Sequence, residues 1–255
     1  IMLRSRIIPC LLIQNNGLVK TINFGSPKYV GDPINAVKIF NEKEVDELIV
    51  LDIDKTIKKE SPNFELIQKL ANECRMPLCY GGGINNVEDA VKIISMGVEK
   101  IALSSAAIKE PELCNDIGSI IGFQSVVIIL DLKKPFLSND YKVYTENGTK
   151  KCSKSLIELL EIFDNIPVGE IVINNIDRDG TMKGFDEHLI SLVRSKIKVP
   201  STFLGGASSL DNIKQIINKN KIIGVAAGSL FVFKGKYRAV LINYPNREER
   251  HCIHC

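Results

Sequence analysis

The segment Ile171-Val172-Ile173-Asn174-Asn175-Ile176-Asp177-Arg178-Asp179-Gly180-Thr181-Met182-Lys183-Gly184-Phe185-Asp186 decides how the rest of the chain is read. Its first three residues are β-branched and apolar, as in a strand buried on both faces. It then empties into Asp177, Asp179, Gly180 and Thr181, which places polar groups where a parallel sheet opens its active face. Gly184 follows, and Asp186 is placed to cap a helix that begins near Glu187. Standing alone, the segment could be a solvated turn between strand and helix. Similar strand ends recur along the chain, and that recurrence argues against so plain a reading.

Outward from this segment, short β-rich runs alternate with amphipathic helical runs, the pattern of repeated βα units. Strands are expected at 6–13, 47–53, 77–80, 100–104, 125–132, 170–176, 201–204 and 222–226, with helices at 33–41, 64–74, 87–96, 155–163, 187–195 and 210–217. Eight strands with helical spacers predict an α/β protein, a closed (β/α)8 TIM barrel rather than an open doubly wound sheet. No G-x-G-x-x-G follows the first strand and no P-loop occurs, which weakens the open-sheet alternative. An internal repeat supports closure. Gly81-Gly82-Gly83 is matched by Gly205-Gly206-Ala207 at an offset of 124 residues, and Ser105 by Ser229 at the same offset. Leu51-Asp52-Ile53-Asp54-Lys55-Thr56 likewise parallels Ile176-Asp177-Arg178-Asp179-Gly180-Thr181. The expected organisation is one barrel over 1–255, with half-barrels at about 2–122 and 123–240 and a tail at 245–255.

Composition fits this size and class. A chain of 255 residues, 45% hydrophobic, can bury a large core, and a net charge of +3 with scattered Lys and Arg gives no nucleic-acid stripe. No apolar run reaches the length of a membrane span and the first residues lack a leader pattern, so a cytoplasmic protein without membrane partners is expected. Seven cysteines occur; several lie inside apolar runs, as reduced buried thiols do. His251-Cys252-Ile253-His254-Cys255 could ligate a metal in principle, but the spacing is too tight for the usual four-ligand site. A frayed tail, no metal and no cofactor are expected.

In such a barrel the glycine turns after strands 3 and 7 meet the serine-bearing turns after strands 4 and 8 on one face. Glycine lets backbone N–H groups approach an anion, and a following helix start adds its positive end. One phosphate cradle would use Gly83, Ser104 and Ser105; the other would use Gly180, Gly205, Gly206, Gly228 and Ser229. Two cradles symmetrically placed point to a small molecule phosphorylated at each end.

These residues resemble a known family, the cyclase subunit of imidazole glycerol phosphate synthase, HisF. The match covers nearly the whole chain and includes R-I-I-P-C-L at 6–11, L-D-I at 51–53, G-G-G-I at 81–84, I-D-R-D-G-T at 176–181 and G-G-A at 205–207. The resemblance implies the synthase half of a glutamine amidotransferase in histidine biosynthesis, a lyase-type cyclase. A HisH-like glutaminase would dock on the bottom of the barrel and release ammonia, which crosses the interior to a bis-phosphorylated nucleotide on the top face. Family members use an aspartate at the end of strand 1 and another at the end of strand 5 as acid and base. Asp131 keeps the second. Leu12 stands where the first should be, and losing a positioned general acid or base costs about 10²–10⁴ in rate. Leu204 and Ser104 likewise replace a serine and an asparagine of the family's phosphate sites.

At the bottom of the barrel the resemblance is complete. The family's ammonia entrance is ringed by four charges, and Arg6, Glu47, Lys100 and Glu170 match all of them. Glu99 keeps the acidic character of a position that faces the glutaminase. Lys20, in the loop after strand 1, matches a lysine that closes over substrate, and Asp52, Asp179 and Thr181 are the further substrate-binding candidates. An intact ammonia entrance with an altered cyclase site resembles the second HisF-like copies of surface-glycan gene clusters. Those supply ammonia to a separate sugar amidotransferase. A working cyclase that uses Asp179 or Asp52 in place of the missing aspartate, and a non-catalytic barrel that holds a phosphorylated metabolite, are the alternatives. The stretch 140–148 is expected to form a hairpin turned at Asn147-Gly148, and His188 to lie on a helix surface.

Overall fold

The computed structural model describes residues 4–136 and 140–254, and within them the sheet closes on itself. Its eight barrel strands are β1 (Arg6–Gln14), β2 (Leu48–Asp52), β3 (Leu78–Gly81), β4 (Lys100–Leu103), β5 (Val126–Lys133), β6 (Glu170–Asn175), β7 (Ser201–Leu204) and β8 (Gly224–Ala227). Each pairs in parallel with the next, and β8 returns to β1 with Arg6 opposite Gly224 and Pro9 opposite Ala227. The closed (β/α)8 barrel expected from the sequence is therefore the fold. Glu47 and Ile222 fall just outside strands that were expected to include them, because ladder pairing begins at Leu48 and Gly224.

Helices α1 (Pro33–Glu42), α2 (Phe64–Glu73), α3 (Val87–Ser95), α4 (Glu112–Ile121), α5 (Leu156–Asn165), α6 (Glu187–Arg194), α7 (Leu210–Asn220) and α8 (Arg247–His254) cover the outside. Local chemistry starts most of them. Asp32, Asn63, Asn86, Asp186 and Ser209 each accept a backbone N–H of the first turn, and Ser155 with Glu158 forms a capping box on α5.

Side chains alternate along every strand, so the molecule has two apolar layers. On β1, Ile7, Leu11 and Ile13 face the helices while Ile8, Cys10 and Leu12 face the barrel axis. On β5, Ile128 and Leu130 point out and Val127 and Ile129 point in.

Two expectations need correction. The segment after β1 is not a plain loop: Gly17–Lys20 pairs antiparallel with the end of β1, and Lys28–Gly31 pairs with it in turn. Asn15 and Asn16 sit at φ 48 and 64, the left-handed pair that a tight hairpin turn requires. The carboxyl-terminal segment is not frayed either, since residues 247–254 form α8. Arg247 grips Glu44 through two nitrogens at 2.6 and 2.7 Å, and Ile253 is only 3% exposed. Just before α8, the Tyr244 hydroxyl donates to the Ile7 carbonyl at 2.8 Å. Cys255 lies outside the described residues. The hairpin after β5 forms as expected, with Lys142–Thr145 pairing antiparallel to Lys150–Lys151 around Asn147 and Gly148. Among the described residues no helix is long and apolar enough to cross a membrane.

A docked α8 has a measurable consequence. Truncating Ile253 to alanine should lower unfolding free energy in urea by about 2 kcal/mol, whereas a frayed tail would leave the midpoint where it is.

Candidate functional site

At the bottom of the barrel, Arg6, Glu47, Lys100 and Glu170 form one closed ring of ion pairs. The Arg6 guanidinium reaches Glu170 at 2.7 Å and also bonds Glu47; the Lys100 ammonium reaches Glu47 at 2.7 Å and Glu170 at 3.1 Å. The two carboxylates are 4 and 5% exposed while the two cations are about a fifth to a quarter exposed, so the acids face inward and the bases cover them. Burial works against charge here. Opposite neighbours overcome it, holding Arg6 and Lys100 above their ordinary ranges and the Glu170 carboxyl below its own. The Thr202 hydroxyl adds a hydrogen bond to Glu170. Outside the ring lies a groove of about 510 Å³, lined in part by Arg6, Lys100 and Glu170. Glu99 is exposed at the same end, its carboxylate accepting the Leu78 N–H at 2.7 Å.

Above the ring the axis is apolar. Ile8, Cys10, Ile49, Cys79, Ala102, Val127, Ile129, Val172 and Ala226 fill it. Burial pushes the Cys10 thiol up to about 12, so it is a neutral group here.

At the top this column opens into a cavity of about 110 Å³ that brings together Leu12, Lys20, Asp52, Gly83, Ser104, Ser105, Asp131, Asp179, Leu204 and Gly228. Asp131 accepts the Asn174 amide at 2.8 Å, and burial raises its carboxyl to about 7. Leu12 and Leu204 continue the apolar lining to this level. Burial also raises Asp52, which accepts the Asp54 N–H at 3.2 Å, and Asp179, which accepts the Thr21 hydroxyl at 2.7 Å. Lys20 is drawn in from the hairpin after β1. Its ammonium donates to the Cys10 carbonyl at 2.7 Å, and burial lowers its pKa. A Cβ at Gly228 would collide with that ammonium, which explains the glycine.

The two cradles differ. In the first, the Ser104 hydroxyl is buried and has no partner among the described residues, and the Ser105 oxygen accepts the Glu146 N–H at 3.0 Å, which leaves its own proton to donate. Gly180, Gly205, Gly206, Gly228 and Ser229 share a second, smaller cavity of about 20 Å³ with Leu204. Gly180 holds φ +68, and a side chain there would strike the Thr21 carbonyl, so the strand-6 turn can close against the β1 hairpin. Thr181 lines neither cavity; its hydroxyl donates to the Arg178 carbonyl at 2.9 Å. His188 is exposed, with Nδ1 3.3 Å from the Tyr141 hydroxyl.

Asn174, Thr202 and Thr21 escaped the sequence reading although each bonds a site carboxylate. The signal was available for Asn174, which stands four residues after Glu170 and two after Val172 on the same inward face.

Residues 6–238 match the model of a family described as histidine biosynthesis protein. A protein of Leptospira borgpetersenii with the provisional name imidazole glycerol phosphate synthase subunit HisF is 56% identical over 99% of both chains. A Pseudomonas aeruginosa protein provisionally named as subunit hisF2 of that synthase is 50% identical over 96% of this chain and 97% of its own. The imidazole glycerol phosphate synthase subunit HisF of Lactococcus lactis is 35% identical over 90% of this chain and 89% of its own.

Two outcomes follow from the geometry. Because Asp131 holds its proton to about pH 7 when folded but releases it near 3.8 when unfolded, stability should fall as pH rises from 4 to 7. The loss is at most about 4 kcal/mol; Asp131→Asn should remove that slope in urea titrations and raise the midpoint at pH 8 but not at pH 4. Glu170→Ala leaves Arg6 with one carboxylate and should cost about 3 kcal/mol in the same assay.

Proposed function

The chain belongs to the histidine biosynthesis protein family as a HisF-like subunit, and from that premise we propose that its barrel is an ammonia conduit. It takes ammonia at the bottom face from a HisH-like glutaminase and delivers it at the mouth, for amidation of a surface-glycan sugar by a third enzyme. One contrast carries this reading: the charged ring at the bottom is complete, while Leu12 faces the mouth where an acid–base pair would need a second carboxylate opposite Asp131.

The physical chemistry of the interior supports it. Ammonium would lose its hydration on entering the apolar column with no counter-charge to replace it, whereas neutral ammonia crosses at little cost. The ring sits before that column, and its cations are the more exposed members. A swing of Lys100 away from Glu47 and Glu170 would open a path without unmaking the Arg6 pairs. Leu12 and Leu204 carry the apolar lining up to the mouth, where the polar groups of the top face begin. The choice of a sugar as acceptor comes from the resemblance to HisF-like copies of surface-glycan clusters.

A second reading has an observation of its own. Asp52 and Asp179 line the same cavity as Asp131, and both are raised by burial, so a cyclase could draw its second proton-transfer group from either.

Cyclase turnover under saturating ammonium, which bypasses any glutaminase, separates the two. The conduit reading expects no turnover from the parent and a gain in Leu12→Asp. It also expects the parent to stimulate a cognate glutaminase and Lys100→Met to uncouple glutamine hydrolysis from ammonia delivery. Robust turnover from the parent would return the protein to histidine biosynthesis.

A further inference from the structure

Beside the mouth, a second concavity of about 740 Å³ runs from the first cradle to the hairpin after β5. Six lysines line it: Lys55, Lys59, Lys109, Lys150, Lys151 and Lys154. Against them stand Glu60 and Glu146, each already paired, Glu60 with Lys55 at 2.7 Å and Glu146 with Lys150 at 3.3 Å. Among the described residues Lys59, Lys109, Lys151 and Lys154 have no carboxylate within ion-pair distance. They come from the loops after β2 and β4 and from both sides of the hairpin's end. In a chain whose net charge is only +3, gathering unpaired ammonium groups in one concavity raises self-repulsion that a bound anion would relieve.

This groove is continuous with the mouth. Thr56, Gly83, Ile84, Ser105 and Ala106 line both spaces. At the cradle end of that border the Ser104 hydroxyl is buried and has no partner among the described residues, and the Ser105 hydroxyl has its proton to give. A single phosphate would be served by the glycine and the two serines alone. The lysines lie further out along the same groove, where their charge favours a further negative group joined to the first phosphate.

We propose that this chain binds a diphosphate group here, one phosphate in the cradle of Gly83, Ser104 and Ser105 and the next against the lysines. The ligand class is a diphosphate, whether inorganic or carried by a nucleoside. Among the described residues no aromatic side chain lines the groove, so a nucleobase would find no stacking surface there and the diphosphate itself is what is read. Acidic protein segments would also be drawn to lysines, but the compact hydroxyl and glycine cradle at the inner end suits a tetrahedral oxyanion better than a carboxylate. The assignment rests on charge and shape at the top face, and it stands whether or not ammonia crosses the barrel.

Calorimetric titration of the full chain with inorganic phosphate, pyrophosphate, uridine diphosphate and a poly-glutamate peptide tests it. Pyrophosphate should bind at least about tenfold more tightly than phosphate, and more weakly as salt rises. The triple variant Lys59→Glu, Lys109→Glu, Lys154→Glu changes two exposed residues and one half-buried one. It should weaken pyrophosphate by about tenfold or more and phosphate by no more than about twofold. Ser104→Ala should weaken both. Uridine diphosphate matching pyrophosphate would support the diphosphate as determinant, and tighter binding would support a nucleoside-borne source. Equal affinity for phosphate and pyrophosphate, no effect of the triple variant, or tighter binding of poly-glutamate than of pyrophosphate would each overturn the proposal.

Discussion

Closing eight parallel strands into a hydrogen-bonded ring leaves the barrel itself without an edge and gives alternate side chains no place but the axis. That single constraint writes the interior of this protein. Along β1 it forces Arg6, Ile8, Cys10 and Leu12 into one column, so one strand supplies a charge of the ring, two wall residues and the apolar group at the mouth. Along β6 it does the same with Glu170, Val172 and Asn174. A residue's height along its strand therefore sets its chemistry. Ions are tolerable only at the bottom, where they can pair and partly reach water. Above them only neutral side chains fit until the top loops admit water again.

The charged ring shows how narrow that tolerance is. Two carboxylates removed from water would normally take up protons, as Asp131 does at the other end of the barrel. Glu170 stays ionised because Arg6 and Lys100 both reach it and Thr202 donates to it. Among the described residues Asp131 has one amide and no cation within bonding distance, and burial pushes its carboxyl the other way. The same fold thus pushes one acid toward its charged form and another toward its neutral form, and the difference is the presence of paired bases rather than depth of burial.

Much of this was legible in the chain. The 124-residue repeat and the alternation of apolar runs point to the barrel, and the strand-start charges point to the ring once the family resemblance is added, since alone they would read as a solvated rim. Asp186 was recognisable as a cap from its place ahead of an amphipathic run, and the Leu189 N–H does bond it at 3.2 Å. What escaped was tertiary. Nothing local in Gly17–Lys20 announces a strand; it forms because the end of β1 extends past the barrel and offers it a free ladder. Residues 247–254 read as a polar tail because their anchors, Glu44 and the α7 face, are distant in sequence. Thr181 looked like a ligand group beside Asp179, but its hydroxyl turns back on its own backbone.

The sequence repeat matches the turns of one cradle to those of the other, and the top face shows how unlike their surroundings are. In the first half the cradle keeps two hydroxyls with hydrogens to give and opens into a basic groove. In the second half Leu204 lines the cradle, and Gly228 gives way to the Lys20 ammonium. That lysine is fixed by the Cys10 carbonyl, with Asp179 nearby and itself engaged by Thr21. The first cradle is therefore a place where an anion can enter from solvent, and the second is a small space with its cation already seated behind it. A ligand that needs two like phosphates at opposite ends of a sugar chain would ask both halves for the same service. This face offers unequal ones, and the larger and more basic of the two lies beside the cradle of Gly83, Ser104 and Ser105.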